Sequence, residues 1–452
     1  MFDNTHGQPD PNLLGRRLFL QTTAATVLAA TVGAAAGPPG TPRGPATTRS
    51  GNGSIAFGNK GTRLTIAMWD FSWLLDGEPG GAYADLERCV AGARERGFNT
   101  LRVDAFVSQQ LQKEVRFEQN WTGGLPQWGM TRTAFTCDAR KRVAELARLC
   151  RKHDIWLGLD SWKSVPDAAA ATDDKLDGIM TGFGEMWARA LRGMREDGVL
   201  ERAVWVAPLN EVPWHAARMP AVKKLNGAPV REGLTRPQAT RGLDALYRRI
   251  NQALAAPIHA ELAGDAIPIS YSSLGAEDYA ARLTDLYDVV DVHFMPSVIA
   301  DESDRDALEQ SGKGLSGFAK FADYGKADLK RFSAAWDVAC RKHYDAMLRR
   351  AYDYDRTALD HLTLPSGKRL QAVITESFGP CYWPVSPDVN QEWYKRYNGD
   401  ALRTIAALPF AGSSVSNYAE PIFPAMWDDV DWLWTANTYF LTQSEAAARN
   451  GA

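Results

Sequence analysis

The sequence predicts an α/β fold, a (β/α)8 TIM barrel with long βα-loop insertions, and three observations carry that expectation. Short apolar runs alternate with longer amphipathic ones, and eight of the short runs can be counted. The longest insertions all follow an apolar run and precede an amphipathic one. No Gly-x-Gly-x-x-Gly follows the first run, as a dinucleotide-binding, doubly wound open sheet would require.

Taken in order, the predicted strands cover residues 64–69, 99–106, 155–160, 203–209, 267–271, 289–294, 370–375 and 410–416. Predicted helices over 82–96, 138–153, 240–263, 329–354 and 391–408 carry apolar residues at three- and four-residue spacing. The insertions span 107–136, 161–176, 212–239, 295–328 and 376–390. In a barrel they lie on the C-terminal face, where such folds carry their sites. They hold Trp121, Trp128, Trp162, Trp214, Tyr382 and Trp383, whose flat faces could wall a cleft or pack as small cores within the loops.

The barrel itself is predicted over residues 61–448. Ahead of it, residues 1–36 read as a twin-arginine-type signal peptide: Gly15-Arg16-Arg17-Leu18-Phe19-Leu20 precedes an Ala- and Thr-rich apolar stretch, and Ala34-Ala35-Ala36 offers a cleavage site. This implies engagement of the twin-arginine export machinery and a periplasmic or extracellular location. The stretch is interrupted by Thr and Gly and is a poor membrane anchor, since a spanning helix needs about 20 apolar residues. Residues 37–60, rich in Gly, Pro, Ser and Thr, read as a flexible linker.

Of the 452 residues, 45% are hydrophobic and 23% charged, enough apolar material for a large core. A net charge of −3 with no basic block argues against nucleic acid and against an anionic membrane surface. Fifteen tryptophans favour a neutral, flat ligand such as a saccharide. The five cysteines contain no Cys-x-x-Cys, and no His-x-His or His-Glu-x-x-His occurs beyond the N-terminal segment, so neither a metal nor an organic cofactor is expected. One or two disulfides are allowed, with pairing open.

Two carboxylates close apolar runs: Glu211 follows Asn210 after the fourth, and Glu376 ends the seventh. A carboxylate pair at strand ends is the equipment of a retaining glycosidase, in which one attacks the sugar and the other shuttles the proton.

Four motifs extend that reading. Gly97-Phe98-Asn99-Thr100-Leu101-Arg102-Val103 at the second strand, Leu209-Asn210-Glu211 at the fourth, Val292-His293 at the sixth and Ile374-Thr375-Glu376 at the seventh resemble the cellulase-like (family 5 type, clan A) glycoside hydrolases. The resemblance spans roughly residues 60–440. It implies that Glu376 is the nucleophile and Glu211 the general acid and base of a double displacement on a β-linked glycan. It also implies that Asn210 binds the sugar 2-hydroxyl, and that Arg102 holds the nucleophile's pKa down. His293 would position the site or meet substrate, with Trp69, Asp160, Trp162, Trp214, Tyr418 and Trp427 as further substrate-binding candidates on an oligo- or polysaccharide.

Three departures stand against the family pattern. Leu159-Asp160-Ser161-Trp162 lacks the histidine many relatives carry after the third strand, and His293-Phe294-Met295 lacks the tyrosine of His-x-Tyr. No Trp directly follows the eighth strand, where Tyr418 or Trp427 would stand in. The alternative they leave open is a non-catalytic carbohydrate-binding barrel; a metal-dependent barrel isomerase or lyase ranks below it. Glu420, after the eighth strand, is a third-ranked carboxylate, and Asp104 a network residue.

Overall fold

The computed structural model describes residues 63–123, 128–162, 165, 172–216, 219–231, 236–273, 278–294, 326–378 and 392–450. The predicted signal and linker, Met295, Cys381, Tyr382 and Trp383 lie outside the described residues, as do the side chains of Trp214 and Cys340.

Eight parallel strands form the barrel: β1 Leu64–Asp70, β2 Thr100–Asp104, β3 Trp156–Asp160, β4 Ala203–Val206, β5 Ser270–Ser273, β6 Val289–Phe294, β7 Gln371–Ser377 and β8 Gly412–Ser414. They neighbour one another in the order β4-β3-β2-β1-β8-β7-β6-β5. A parallel bridge between Val206 and Ile269, with Val206 N donating to the Pro268 carbonyl at 3.0 Å, joins the two ends into a closed ring. Around it run α1 Leu86–Glu95, α2 Ala139–Lys152, α3 Asp173–Glu196, α4 Arg236–Glu261, the one-turn α5 Tyr279–Arg282, α6 Lys326–Asp360, α7 Glu392–Ile405 and α8 Val430–Asn450.

Local chemistry sets these boundaries. Asp85 and Asp138 cap α1 and α2 by accepting from the backbone N–H three residues on, at 3.0 and 3.1 Å, which satisfies donors the first turn leaves free. The ladder between β5 and β6 starts at Ser270, later than the predicted apolar run, after Pro268, which has no N–H to give it. The 107–136 insertion folds into a short helix, Val107–Gln110, and an antiparallel ribbon, Val115–Phe117 with Phe135–Cys137.

Two apolar layers follow from side-chain alternation along the strands. The larger fills the space between strands and helices. The smaller, with Leu64, Ile66, Trp205, Val289 and Val373, floors the barrel interior. The Trp205 ring crosses where only a glycine leaves room: a Cβ on Gly158 would sit 2.0 Å from it. Toward the C-terminal mouth the interior turns polar, with Asp70, Arg102, Asp160, Ser272, Asp291, His293 and Glu376 all buried. Among the described residues no helix is long and apolar enough to cross a membrane, and Cys89, Cys137 and Cys150 are free thiols.

Candidate active site

Glu211 and Glu376 are brought to one place. Register pairs His293 of β6 with Glu376 of β7, so these side chains are neighbours on the interior face. Glu211 reaches them from the end of β4, held in the left-handed region (φ 47°) with its N–H donating to Ser272 Oγ at 2.9 Å. A non-glycine residue there is strained and persists only when its surroundings fix it. An oxygen of Glu211, a ring nitrogen of His293 and an oxygen of Glu376 all lie within 4.8 Å of one another.

Arg102 is the hub. Wholly buried at β2, its guanidinium donates to Asp70 Oδ1 at 2.7 Å, Glu376 Oε1 at 3.0 Å and Asp160 Oδ2 at 2.6 Å, and also to Asn210 Oδ1. Asn210 turns its amide N–H toward Glu376 Oε1 at 3.4 Å. Arg102 thus sits against Glu376 and pulls its pKa down, though not below the ordinary carboxylate range. Burial, joined by the charges of Glu211 and Asp291, raises the Glu376 pKa more than His293 and Arg102 lower it.

His293 bridges the two glutamates. Its Nδ1 is 3.2 Å from Glu211 and 3.4 Å from Glu376, while Nε2 meets Asp291 at 3.1 Å. Burial disfavours a charged ring, yet Glu376, Asp291 and the hydrogen bonds to Asp291 and Glu211 raise its pKa well above the ordinary value, which favours the imidazolium. Asp291, despite burial, is held below the ordinary carboxylate range by His293 and Arg102. It also accepts from Thr375 Oγ1 at 2.6 Å and Thr375 N at 3.1 Å.

Five carboxylates (Asp70, Asp160, Glu211, Asp291, Glu376) thus share two cations, and burial raises Asp70 and Asp160 as well as Glu376. Among the described residues, Glu211, His293 and Glu376 are the set compact enough to hold a metal ion. Such an ion would have to displace the proton that Asp291 and the glutamates favour on the His293 ring.

The other predicted residues divide. Trp162 belongs to the site, its ring 5.9 Å from the Arg102 guanidinium. Tyr418 stacks parallel on Trp128 at 6.2 Å, and Trp128 lies 6.3 Å from Trp162, so an aromatic wall runs beside the cluster. Both oxygens of Asp160 are occupied, by Arg102 and by its own neighbour's Ser161 N, which leaves it a support for the arginine. Trp69 and Trp427 are not brought to the carboxylates. Trp69 alternates with Asp70 along β1 and packs edge-on against Tyr83 at 5.0 Å and Trp427 at 6.4 Å; Trp427 also lies under Arg96 at 4.2 Å. Trp121 packs on Phe117 at 4.8 Å within the insertion's own core. The side chain of Trp214 lies outside the described residues.

Sequence reading missed Asp70, Asp291, Ser272 and Thr375. The signal for the first two was present: counting by twos from Leu64 puts Asp70 on the interior face, and Asp291 is two residues before His293.

A family model described as sugar-binding cellulase-like matches residues 66–440. A crystal structure from Parabacteroides distasonis, of a protein assigned to the glycoside hydrolases, aligns with a TM-score of 0.59 at 19% identity over 86% of this chain and all of that one. A family 5 glycoside hydrolase from Prevotella bryantii, solved with a xyloglucan oligosaccharide, aligns with a TM-score of 0.45 at 11% identity over 85% of this chain and 98% of that one. No curated protein sequence matches. With a closed (β/α)8 barrel and a family match over most of its length, the chain belongs to the sugar-binding cellulase-like family.

Proposed function

We propose that this protein is a retaining glycoside hydrolase acting on a β-linked glycan. The observation that carries the reading is the approach of Glu211 and Glu376 oxygens to within 4.8 Å. Retaining enzymes hold their two carboxyl groups about 5–5.5 Å apart, whereas inverting enzymes need roughly 6.5–9.5 Å to admit a water.

In the first step the Glu376 carboxylate attacks the anomeric carbon as the bond to the leaving oxygen breaks, and Glu211 gives that oxygen its proton. In the second, water gives a proton to Glu211 and its oxygen to the anomeric carbon, and the ester to Glu376 breaks. Arg102 and His293, both on Glu376 Oε1, stabilise the ionised nucleophile, and Asn210 beside it is placed for the 2-hydroxyl. His293 Nδ1 also supplies an N–H beside Glu376, which compensates for Met295 standing in the sequence where many relatives carry tyrosine.

A panel of aryl β-glycosides and β-glycans, with wild type and Glu376→Ala, tests this. A mechanism-based 2-fluoroglycoside should label Glu376; a label elsewhere would displace the assignment. If no β-glycoside is cleaved while a sugar raises the melting temperature, the non-catalytic sugar-binding barrel is the better reading. Export belongs to the same proposal, supported by Arg16-Arg17 ahead of the apolar stretch. A reporter fused to residues 1–36 should remain in the cytoplasm once both arginines become lysine; unaffected export would remove that part.

A further inference from the structure

Asp70 has no part in the steps above, yet it is built into the site. It ends β1 on the interior face with no exposure, its backbone in the left-handed region (φ 36°). Its Oδ1 takes the same Arg102 nitrogen that serves Glu376 Oε1, at 2.7 and 3.0 Å, so the two carboxylates flank one N–H group. Three polar atoms around this point are buried without a hydrogen-bond partner: Asp70 Oδ2, Glu376 Oε2 and Trp162 Nε1. A free oxygen on Glu376 is what attack on carbon requires. Asp70 Oδ2 and the Trp162 indole have no such task.

These two atoms are complementary. The Trp162 N–H faces the Asp70 carboxyl closely enough to pull its pKa down, yet the contact falls short of regular hydrogen-bond geometry and leaves both atoms open to a better partner. Buried polar groups in folded proteins are overwhelmingly paired, so a couple this poorly satisfied at a barrel mouth points to a further partner. That partner must donate to one and accept from the other, which a hydroxyl does and a carbonyl or an ammonium does not.

We propose that Asp70 Oδ2 and the Trp162 indole N–H together grip one hydroxyl of the sugar ring whose anomeric carbon lies on Glu376, so that the subsite demands this hydroxyl free and correctly oriented. This rests on the glycosidase reading. Because Asp70 and Glu376 lie on either side of one arginine nitrogen, the gripped hydroxyl belongs to the reacting ring and not to a distant one. Asp70 and Trp162 are then residues that decide which sugar is accepted at the cleavage point.

The test compares kcat/KM for the best-cleaved 4-nitrophenyl β-glycoside with its four monodeoxy forms, using wild type, Asp70→Asn and Trp162→Phe. For wild type, loss of one particular hydroxyl should cost roughly 10- to 100-fold, as for a hydrogen bond to a charged group. In both variants that same deoxygenation should cost much less, while the other positions behave as in wild type. If every deoxy sugar loses the same factor in the variants as in wild type, Asp70 acts only through Arg102, water fills the gap, and the proposal falls. Should Asp70→Asn fail to fold, Trp162→Phe carries the comparison, since it keeps the ring and removes only the N–H. If wild type cleaves none of the parent glycosides, the hydrolase reading fails separately. Calorimetry with the free monosaccharides and their deoxy forms then measures the grip directly: a position-specific loss in wild type that Trp162→Phe abolishes sustains it, and a uniform loss overturns it.

Discussion

Two buried acidic clusters sit at the same barrel mouth, and burial raises the central glutamate of each, but well above the ordinary range only where no cation faces it. Glu376 lies between Arg102 and His293. Glu420, after β8, is just as buried, but it meets Tyr83 Oη at 2.6 Å and Ser72 Oγ at 3.3 Å, with Asp70 and Asp76 as its charged neighbours among the described residues. Burial first, and these acids second, raise the Glu420 pKa well above the ordinary range. The hydrogen bonds agree. Ser72 has one proton and also contacts the Trp128 carbonyl, so its link to Glu420 is complete when Glu420 carries the proton. At equal burial the partners decide how far the pKa rises: a facing cation pulls a carboxylate back toward its ionised, nucleophilic form, whereas neighbouring acids push it further toward the neutral one. Glu420 therefore has the wrong surroundings for attack on a sugar, whatever its position after a strand.

The comparison is broken most directly by exchanging each glutamate for its amide. Glu376→Gln should cost on the order of 10⁴-fold or more in kcat, as loss of a covalent catalyst does, while Glu420→Gln should leave kcat within about an order of magnitude. Steady-state rates on one aryl β-glycoside decide it; comparable losses would mean that charge state does not separate the two sites. Removing the hub comes next. Arg102→Met leaves Asp70, Asp160 and Glu376 facing one another without their shared cation and should destabilise the fold by about 3–5 kcal/mol in urea unfolding, the scale for breaking a buried ion pair from one side. A loss under about 1 kcal/mol, the scale of an exposed pair, would show the carboxylates to be protonated already.

A smaller effect sharpens the electrostatics. Because burial raises Glu376, its ionised form, the one that attacks, should disappear as pH falls through a value above the ordinary glutamate range. His293 pulls that value down, so His293→Gln should move the acid limb of kcat/KM to higher pH. A limb that stays in place or moves down would mean that the imidazolium charge does not reach the nucleophile.

How much of this could be read from the chain varies with the kind of signal. The eight strands were legible because apolar runs of this length between amphipathic ones have few other uses, and β6 was located to its residue limits, 289–294. Strand β5 was displaced because Ile267 and Pro268 extend the apolar run without extending the ladder. Glu211 and Glu376 were legible from strand ends and motifs. Asp70 was passed over for its neighbour Trp69 because a tryptophan at a barrel mouth suggests a sugar platform, while the structure packs that ring on Tyr83 and Trp427 and sets the aspartate on Arg102. No pattern within one strand could reveal that Arg102 is shared by Asp70, Asp160 and Glu376, since those residues come from β1, β3 and β7 and meet only when the barrel closes.

The mildest change tests the neutral half of the comparison. In the unfolded chain Glu420 ionises near the ordinary glutamate value of about 4.3. In the fold its pKa is raised, so its contribution to stability is complete below the unfolded value and is lost as pH rises toward the folded one. Glu420→Gln removes that dependence and keeps the contacts: the amide oxygen accepts from Tyr83, and the amide N–H donates to Ser72 Oγ, which still donates to the Trp128 carbonyl. The variant should melt near the wild-type temperature at pH 4 and increasingly above it toward pH 8, on a background where the raised Asp70 and Glu376 lower the stability of both proteins alike. Melting curves that run parallel, or a variant that falls below wild type as pH rises, would mean that Glu420 is ionised in the fold, and that hydroxyl donors alone suffice to hold a buried charge beside the active site.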